Sequence, residues 1–242
     1  AAGAISTSGL QFVSDGYRVE GDPLTLAGAT DVRVGDGTAA GATTSATIAS
    51  NITGSGSLVK QDLGTLILAG ANDHAGGTRI AGGTLRIDAG GSLATTGATP
   101  AVGIVASTPA STVTLVNAGR ITASDRAVDA ATGTTLSLLN ESGGVIEGAS
   151  GVYLDAGEVI NRGSITATAG DAIQAAAGST VRLEAGSTTA FTGSGTNYAV
   201  NFLGGSNNLY LDTGATVTGQ IRGASAAGSG PDRVYLNGTG SA

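Results

Sequence analysis

The chain alternates apolar and polar residues in very short stretches. Val113-Thr-Leu115, Leu136-Ser-Leu138, Glu158-Val159-Ile160, Val181-Arg-Leu183, Leu209-Tyr-Leu211 and Val234-Tyr-Leu236 recur through the second half. Most of them put apolar side chains two residues apart, which is the period of a strand with one buried face. With Leu115, Leu138, Val159, Leu183, Leu211 and Leu236 taken as equivalent, the steps are 23, 21, 24, 28 and 25 residues. Three of the segments run into an asparagine, at Asn117, Asn140 and Asn161. Each asparagine leads through a Gly-containing turn to Ile121, Ile146 or Ile165, and a third apolar position follows at Val128, Val152 and Ile173.

Three short strands and three turns in about 20–25 residues make one coil of a parallel β-solenoid. One coil cannot bury its inward side chains alone, but coils stacked ~4.8 Å apart bury a continuous column of Val, Ile and Leu. Gly, Asn and Asp supply corners with positive φ, and asparagines at one place in successive coils can stack as an amide ladder. An antiparallel sandwich accounts for the strand lengths, but not for the recurrence or the asparagine register. The expectation is an all-β parallel β-helix, residues 1–242 as a single solenoid of about nine to ten coils with three short strands each. Residues 104–240 are the Asn-Gly-Ile coils.

The stretch 17–93 repeats the same architecture with another signature. Its strands centre on Val19, Leu24-Thr-Leu26, Val32-Arg-Val34, Ile48, Leu66-Ile-Leu68, Ile80 and Leu85-Arg-Ile87. Within it, Gly56-Ser-Leu58-Val-Lys60 is followed by Gly64-Thr-Leu66-Ile-Leu68, by Asn72, by Gly76-Gly77-Thr78 and by a closing Gly83-Thr84-Leu85. This run resembles the passenger-associated repeat of bacterial autotransporters, directly over about 30 residues and more loosely over 17–93. Two positions depart from that family: Asp62 stands where it usually has Gly, and His74 where it tends to have an aromatic residue. The resemblance implies a right-handed β-helix exported across the outer membrane by a C-terminal translocator barrel that these residues do not include. It implies a location outside the cell or on the bacterial surface, and a rod that binds a host protein, a glycan or other copies of itself. On that analogy the function is adhesion, self-association or host-protein binding without catalysis.

Composition narrows the alternatives. Gly alone supplies 42 of 242 residues, aromatics are 3%, and Cys, Met and Trp are absent, which removes disulfides, thiolate metal sites and cysteine nucleophiles. Lys occurs once, at Lys60, and the net charge is −7, which argues against nucleic acid as a partner. No apolar run approaches the ~20 residues of a membrane-spanning helix, and no signal-peptide pattern opens the chain. A hydrophobic content of 40% argues against disorder.

Candidate chemistry is sparse. His74 is the lone imidazole, with Asp73 beside it, and reads as a turn residue rather than a base or ligand. The rival function is a carbohydrate-active β-helix enzyme, which needs paired carboxylates on one face. Asp129, Tyr153 and Gln174 share one register position, so no acid column forms there, while Glu158 and Arg182 align as an exposed ion pair. Gly228-Ser-Gly230-Pro-Asp232-Arg-Val234 resembles a single turn of a calcium-binding roll, but such sites need consecutive copies. Thr112-Val-Thr114, Thr166-Ala-Thr168 and Thr216-Val-Thr218 fall at different coil positions, against an ice-binding face. No catalytic, cofactor or metal residue is expected.

A contact surface is expected instead. The residue between two inward apolar positions points to solvent, which places Arg182, Tyr210 and Tyr235 outward on successive coils. Tyr and Arg together are the composition of a binding hot spot, although such a stack also serves to hold coils together.

The fold reading predicts a nearly all-β far-UV circular dichroism spectrum. It also predicts a rod on the order of 50 Å long from coils ~4.8 Å apart. Small-angle scattering checks this, and a maximum dimension typical of an ordinary globule would exclude the solenoid.

Overall fold

A computed structural model describes residues 5–97, 99–104, 112–224 and 230–238. Alternate residues of most strands between the end coils are buried, and successive coils lay their strands side by side, giving sheets of 11, 10 and 7 strands. Every pairing among the described strands is parallel. One coil runs Thr112–Asn117, Arg120–Ala123, Arg126–Ala130, and the next begins with Thr135–Asn140. These strands belong in turn to the 10-stranded, the 7-stranded and the 11-stranded sheet. The all-β parallel solenoid is therefore the fold, and the single helical element among the described residues is the 3-10 turn Ala39–Thr43.

The core is one column repeated. On the 10-stranded sheet Leu66, Leu85, Leu115, Leu138, Val159, Val181 and Leu209 stack in register, and each is at most 1% exposed. Ile121, Ile146 and Ile165 stack on the 7-stranded sheet, and Val128, Val152 and Ile173 on the 11-stranded one. The asparagine ladder lies at the corner where the 10-stranded sheet ends. Asn117 donates through Nδ2 to Asn140 Oδ1 at 2.8 Å, and Asn140 donates to Asn161 Oδ1 at 2.9 Å. All three are fully buried. Below them the same column holds Leu68 and Ile87, and above them Leu183 and Leu211, so amides replace aliphatic packing for three coils. The following corner leaves no room for a side chain. A Cβ at Gly144 would meet the Asn117 carbonyl, and one at Gly163 the Gly144 carbonyl.

Several details differ from the sequence reading. Val159 pairs with Val181, and Leu183 lies beside Asn161, so that step is 22 residues rather than 24. The slip is two residues, and it keeps the same side chains inward, so alternation alone does not reveal it. Leu24–Leu26 and Val32–Val34 belong to one strand, Leu24–Val34. Its two halves pair with Ile5–Thr7 and Gly9–Phe12 across a register shift. Three strands per coil holds from Ser45–Ile48 onward, where Ile52–Gly54 and Ser57–Gln61 complete the coil, and the separate third sheet begins at Ala71–Asn72.

Asp62 adopts φ 69°, a left-handed conformation that glycine, the residue the resemblance implies at this position, takes without strain. Its carboxylate compensates for the missing glycine by accepting the Leu63 and Gly37 backbone N–H groups, each at 2.8 Å.

Stability sits in the inward columns rather than in the charges. Leu138→Ala is expected to cost about 2–5 kcal/mol through lost burial and a cavity. Glu158→Gln loosens a half-exposed ion pair worth under ~1 kcal/mol. Urea unfolding of the two variants measures both, and equal losses would contradict the inward assignment of Leu138.

Candidate functional site

Side chains between the buried positions of the 10-stranded sheet form an outward column that the backbone register makes continuous. It runs Ile67, Arg86, Val116, Leu139, Ile160, Arg182, Tyr210 and Tyr235 on consecutive strands. Arg182 and the two tyrosines thus occupy neighbouring coils, but Val234 and Leu236, expected inward on either side of Tyr235, are 54% and 79% exposed, because Arg233–Asn237 is the last strand of its sheet among the described residues. The Arg182 guanidinium carbon lies 4.0 Å from the Tyr210 ring centroid. The Tyr210 and Tyr235 rings stack at 4.5 Å with an interplanar angle of 9°. Arg182 also donates through Nε to Glu158 Oε1 at 2.7 Å, and that hydrogen bond holds its pKa above the usual arginine value. Glu158 is opposite Thr180 rather than Arg182, so the arginine reaches diagonally across one coil to make the pair. Tyr235 is 38% exposed.

The lower half of this column escaped the sequence reading. Leu66-Ile67-Leu68, Leu115-Val116-Asn117, Leu138-Leu139-Asn140 and Val159-Ile160-Asn161 each put an apolar residue between two inward ones. In a strand of period two that middle residue must face out. Ile67, Val116, Leu139 and Ile160 are half-buried accordingly, while their neighbours Leu66, Leu115, Leu138 and Val159 are at most 1% exposed. Charges border the stripe. Arg86 grips both Glu141 oxygens at 2.8 and 3.0 Å across two coils, and Arg162 holds Glu184 through Nε at 2.6 Å. Hydroxyls of Thr84, Thr114 and Ser137 line the other border.

The remaining candidates are tied into the structure. Asp129 pairs with Arg126 at 2.8 Å, and the same guanidinium lies over Tyr153 at 5.0 Å. Asp129, Tyr153 and Gln174 do share one register position. Asp171 accepts from the Tyr198 backbone N–H and from Asn201 Nδ2 at 2.8 and 2.7 Å. The acids therefore serve as ion-pair and loop-fixing partners. His74 is fully buried, with Nε2 2.9 Å from Thr78 Oγ1, and burial lowers its pKa. Asp232 fixes a corner by accepting from the Asn207 and Ala224 backbone N–H groups at 3.0 and 2.6 Å; Gly228 and Ser229 lie outside the described residues. Thr166 and Thr218 share a column, contrary to the expectation of different positions, but Ala190 separates them. Among the described residues no group of three or more His, Asp or Glu is placed to hold a metal ion. Among them, too, no helix is long and apolar enough to cross a membrane.

Lys60 belongs to the inward set, two residues after Leu58 in the strand Ser57–Gln61. It is fully buried, and Nζ donates to the carbonyls of Gln61, Asp62 and Gly82 at 2.9, 2.7 and 3.1 Å. The motif Gly-x-Leu-x-Lys carried this signal, since Lys follows Leu at strand period.

Residues 58–87 match the family described as Passenger-associated-transport-repeat. The chain is also 55% identical over 87 residues to the "Adhesin BmaC autotransporter" of Brucella suis biovar 1 (strain 1330). That alignment covers 35% of this chain and 2% of the relative. No solved structure matches the chain significantly. The chain therefore carries the repeat of autotransporter passengers, and the repeat includes Asp62 and the buried Lys60 and His74.

Burial holds the Lys60 ammonium down from 10.5 to about 8. The unfolded chain keeps this proton up to higher pH than the folded chain does. Stability from neutral Lys60 is therefore fully present above 10.5 and is lost as pH falls toward 8. Melting temperature is expected to rise between pH 8 and 10, and Lys60→Met is expected to flatten that rise while lowering stability overall. An unchanged slope in the variant would show that Lys60 is not the titrating group.

Proposed function

We propose that this passenger segment acts as a non-enzymatic adhesive rod outside the bacterial cell, with its contact surface on the 10-stranded sheet. The observation that carries the reading is the Arg182–Tyr210–Tyr235 stack, with its guanidinium at 4.0 Å and its rings at 4.5 Å on the solvent side of consecutive strands. Large amphipathic side chains already held in one geometry lose little entropy on binding, which is what a hot spot requires. The passenger repeat and the likeness to a protein named as an autotransporter adhesin support export and adhesion. The engagement of the scattered carboxylates in ion pairs speaks against glycosidic catalysis, which needs an acid and a base free to exchange protons.

The double variant Tyr210→Ser/Tyr235→Ser tests the reading through cell adhesion and thermal melting together. Loss of adhesion at an unchanged melting temperature is the expected result. Full adhesion with a lowered melting temperature would leave the stack as a structural clasp and remove the reading.

A further inference from the structure

We infer that the partner of this face is a second copy of the same chain, laid parallel and in register as a side-by-side dimer; the inference rests on reading the face as a contact surface. Each outward residue of the central column has one flanking residue two positions before it and another two positions after it. If two copies meet face to face about a twofold axis along the rod, strand directions reverse while coils stay level. The central column then meets itself, and each following residue meets the preceding residue of the same strand in the other copy.

That operation pairs unlike groups along both borders. Arg162 falls opposite Glu158, twice by symmetry, so the contact would join two pairs already made within each chain, Arg162–Glu184 and Arg182–Glu158, into one network of alternating charge. Glu141 falls opposite Ser137, Glu184 opposite Thr180 and Asp88 opposite Thr84, so these carboxylates meet hydroxyl donors rather than other carboxylates. In the centre Ile67, Val116, Leu139 and Ile160 cover their counterparts, and so do the two tyrosines. Arg86 and Arg182 also face themselves, but each arrives with its own carboxylate, Glu141 at 2.8 Å and Glu158 at 2.7 Å. The antiparallel alternative centred on Leu139 places Glu141 against Glu141 and Asp88 against Glu184, which sets like charges in opposition.

The extent of the surface agrees. Eight strands ~4.8 Å apart, with two outward columns ~6.8 Å apart on the strands and the residues just past the strand ends as a third, span about 700–800 Å² per copy. A stable interface buries about 800 Å² per partner. An isologous contact of this kind needs one self-complementary patch, and this column supplies it.

The chain has no cysteine, so single introduced thiols report the arrangement directly. Ile67→Cys and Ile160→Cys, each alone, are expected to form disulfide-linked dimers under copper-phenanthroline and air at micromolar concentration. The unmodified chain is expected to sediment at twice its monomer mass, and Arg162→Glu to weaken the dimer about tenfold. Circular dichroism confirms that each variant folds. An antiparallel dimer can oppose only one of these two levels to itself, so a disulfide appearing only when the two variants are mixed would overturn the inference. A monomer in sedimentation with neither thiol cross-linking would also overturn it. Loss of adhesion in Tyr210→Ser/Tyr235→Ser with the wild-type chain monomeric would refute the dimer and keep the adhesion reading. A cross-linked dimer with undiminished adhesion in that variant would support the dimer and remove the adhesion reading.

Discussion

Backbone hydrogen bonds between coils make every other feature of this molecule conditional. Parallel pairing at ~4.8 Å leaves each residue directly above an equivalent one, so a side chain has no choice of neighbour. Inward, the constraint stacks Leu on Leu and Asn on Asn, and a single polar misfit would have to be answered by the coils on both sides. Outward, it sets Arg182, Tyr210 and Tyr235 at a spacing that aromatic stacking accepts without strain. The corners bear the cost. Glycine at 144 and 163 is needed because the next carbonyl occupies the space a Cβ would take.

Polar groups in such a core are tolerated only when the stack satisfies them. The three asparagines form a chain of amide hydrogen bonds that terminates on Thr188 O and Thr189 Oγ1, at 2.9 and 3.0 Å from Asn161 Nδ2. Lys60 finds three carbonyl acceptors in the turns around Asp62 and Gly82. An ammonium with three acceptors in register with the strand is a pin across one corner, and its cost appears as the depressed pKa rather than as an unpaired charge. His74 is less well served, since Nδ1 has no hydrogen-bond partner among the described residues. Where the resemblance implies an aromatic residue, this position holds a buried imidazole whose pKa burial lowers.

The alternation of apolar residues and the spacing of Asn117, Asn140 and Asn161 were enough to define coils, sheets and inward columns. Where reading failed, the reason was parity. A two-residue slip at Val181 and Leu183 moves no side chain from core to surface, so the pattern carries no trace of it, and only pairing resolves it. The same parity argument was available for Ile67, Val116, Leu139 and Ile160. A search for apolar residues treats consecutive ones as more core, whereas a period-two strand turns every second one outward. Asp62 could be noticed as a departure from glycine, but not as a left-handed residue whose carboxylate anchors Gly37, because that partner is 25 residues away.

A repetitive core also shapes the surface. The requirement that strands alternate and coils align is imposed by burial, yet it arranges the outward residues as strictly as the inward ones. An exposed residue on such a rod is therefore multiplied into a column as soon as neighbouring coils keep a similar type, and a modest apolar preference becomes a stripe many strands long. Contact energies too small to matter singly then add along one line, while the ion pairs Arg86–Glu141, Arg162–Glu184 and Arg182–Glu158 keep the borders soluble and fix which side of the stripe carries which charge. On a globular protein a hot spot needs residues gathered from distant segments. Here the backbone ladder gathers them by default, and selection has only to choose the side chain at one position of each coil.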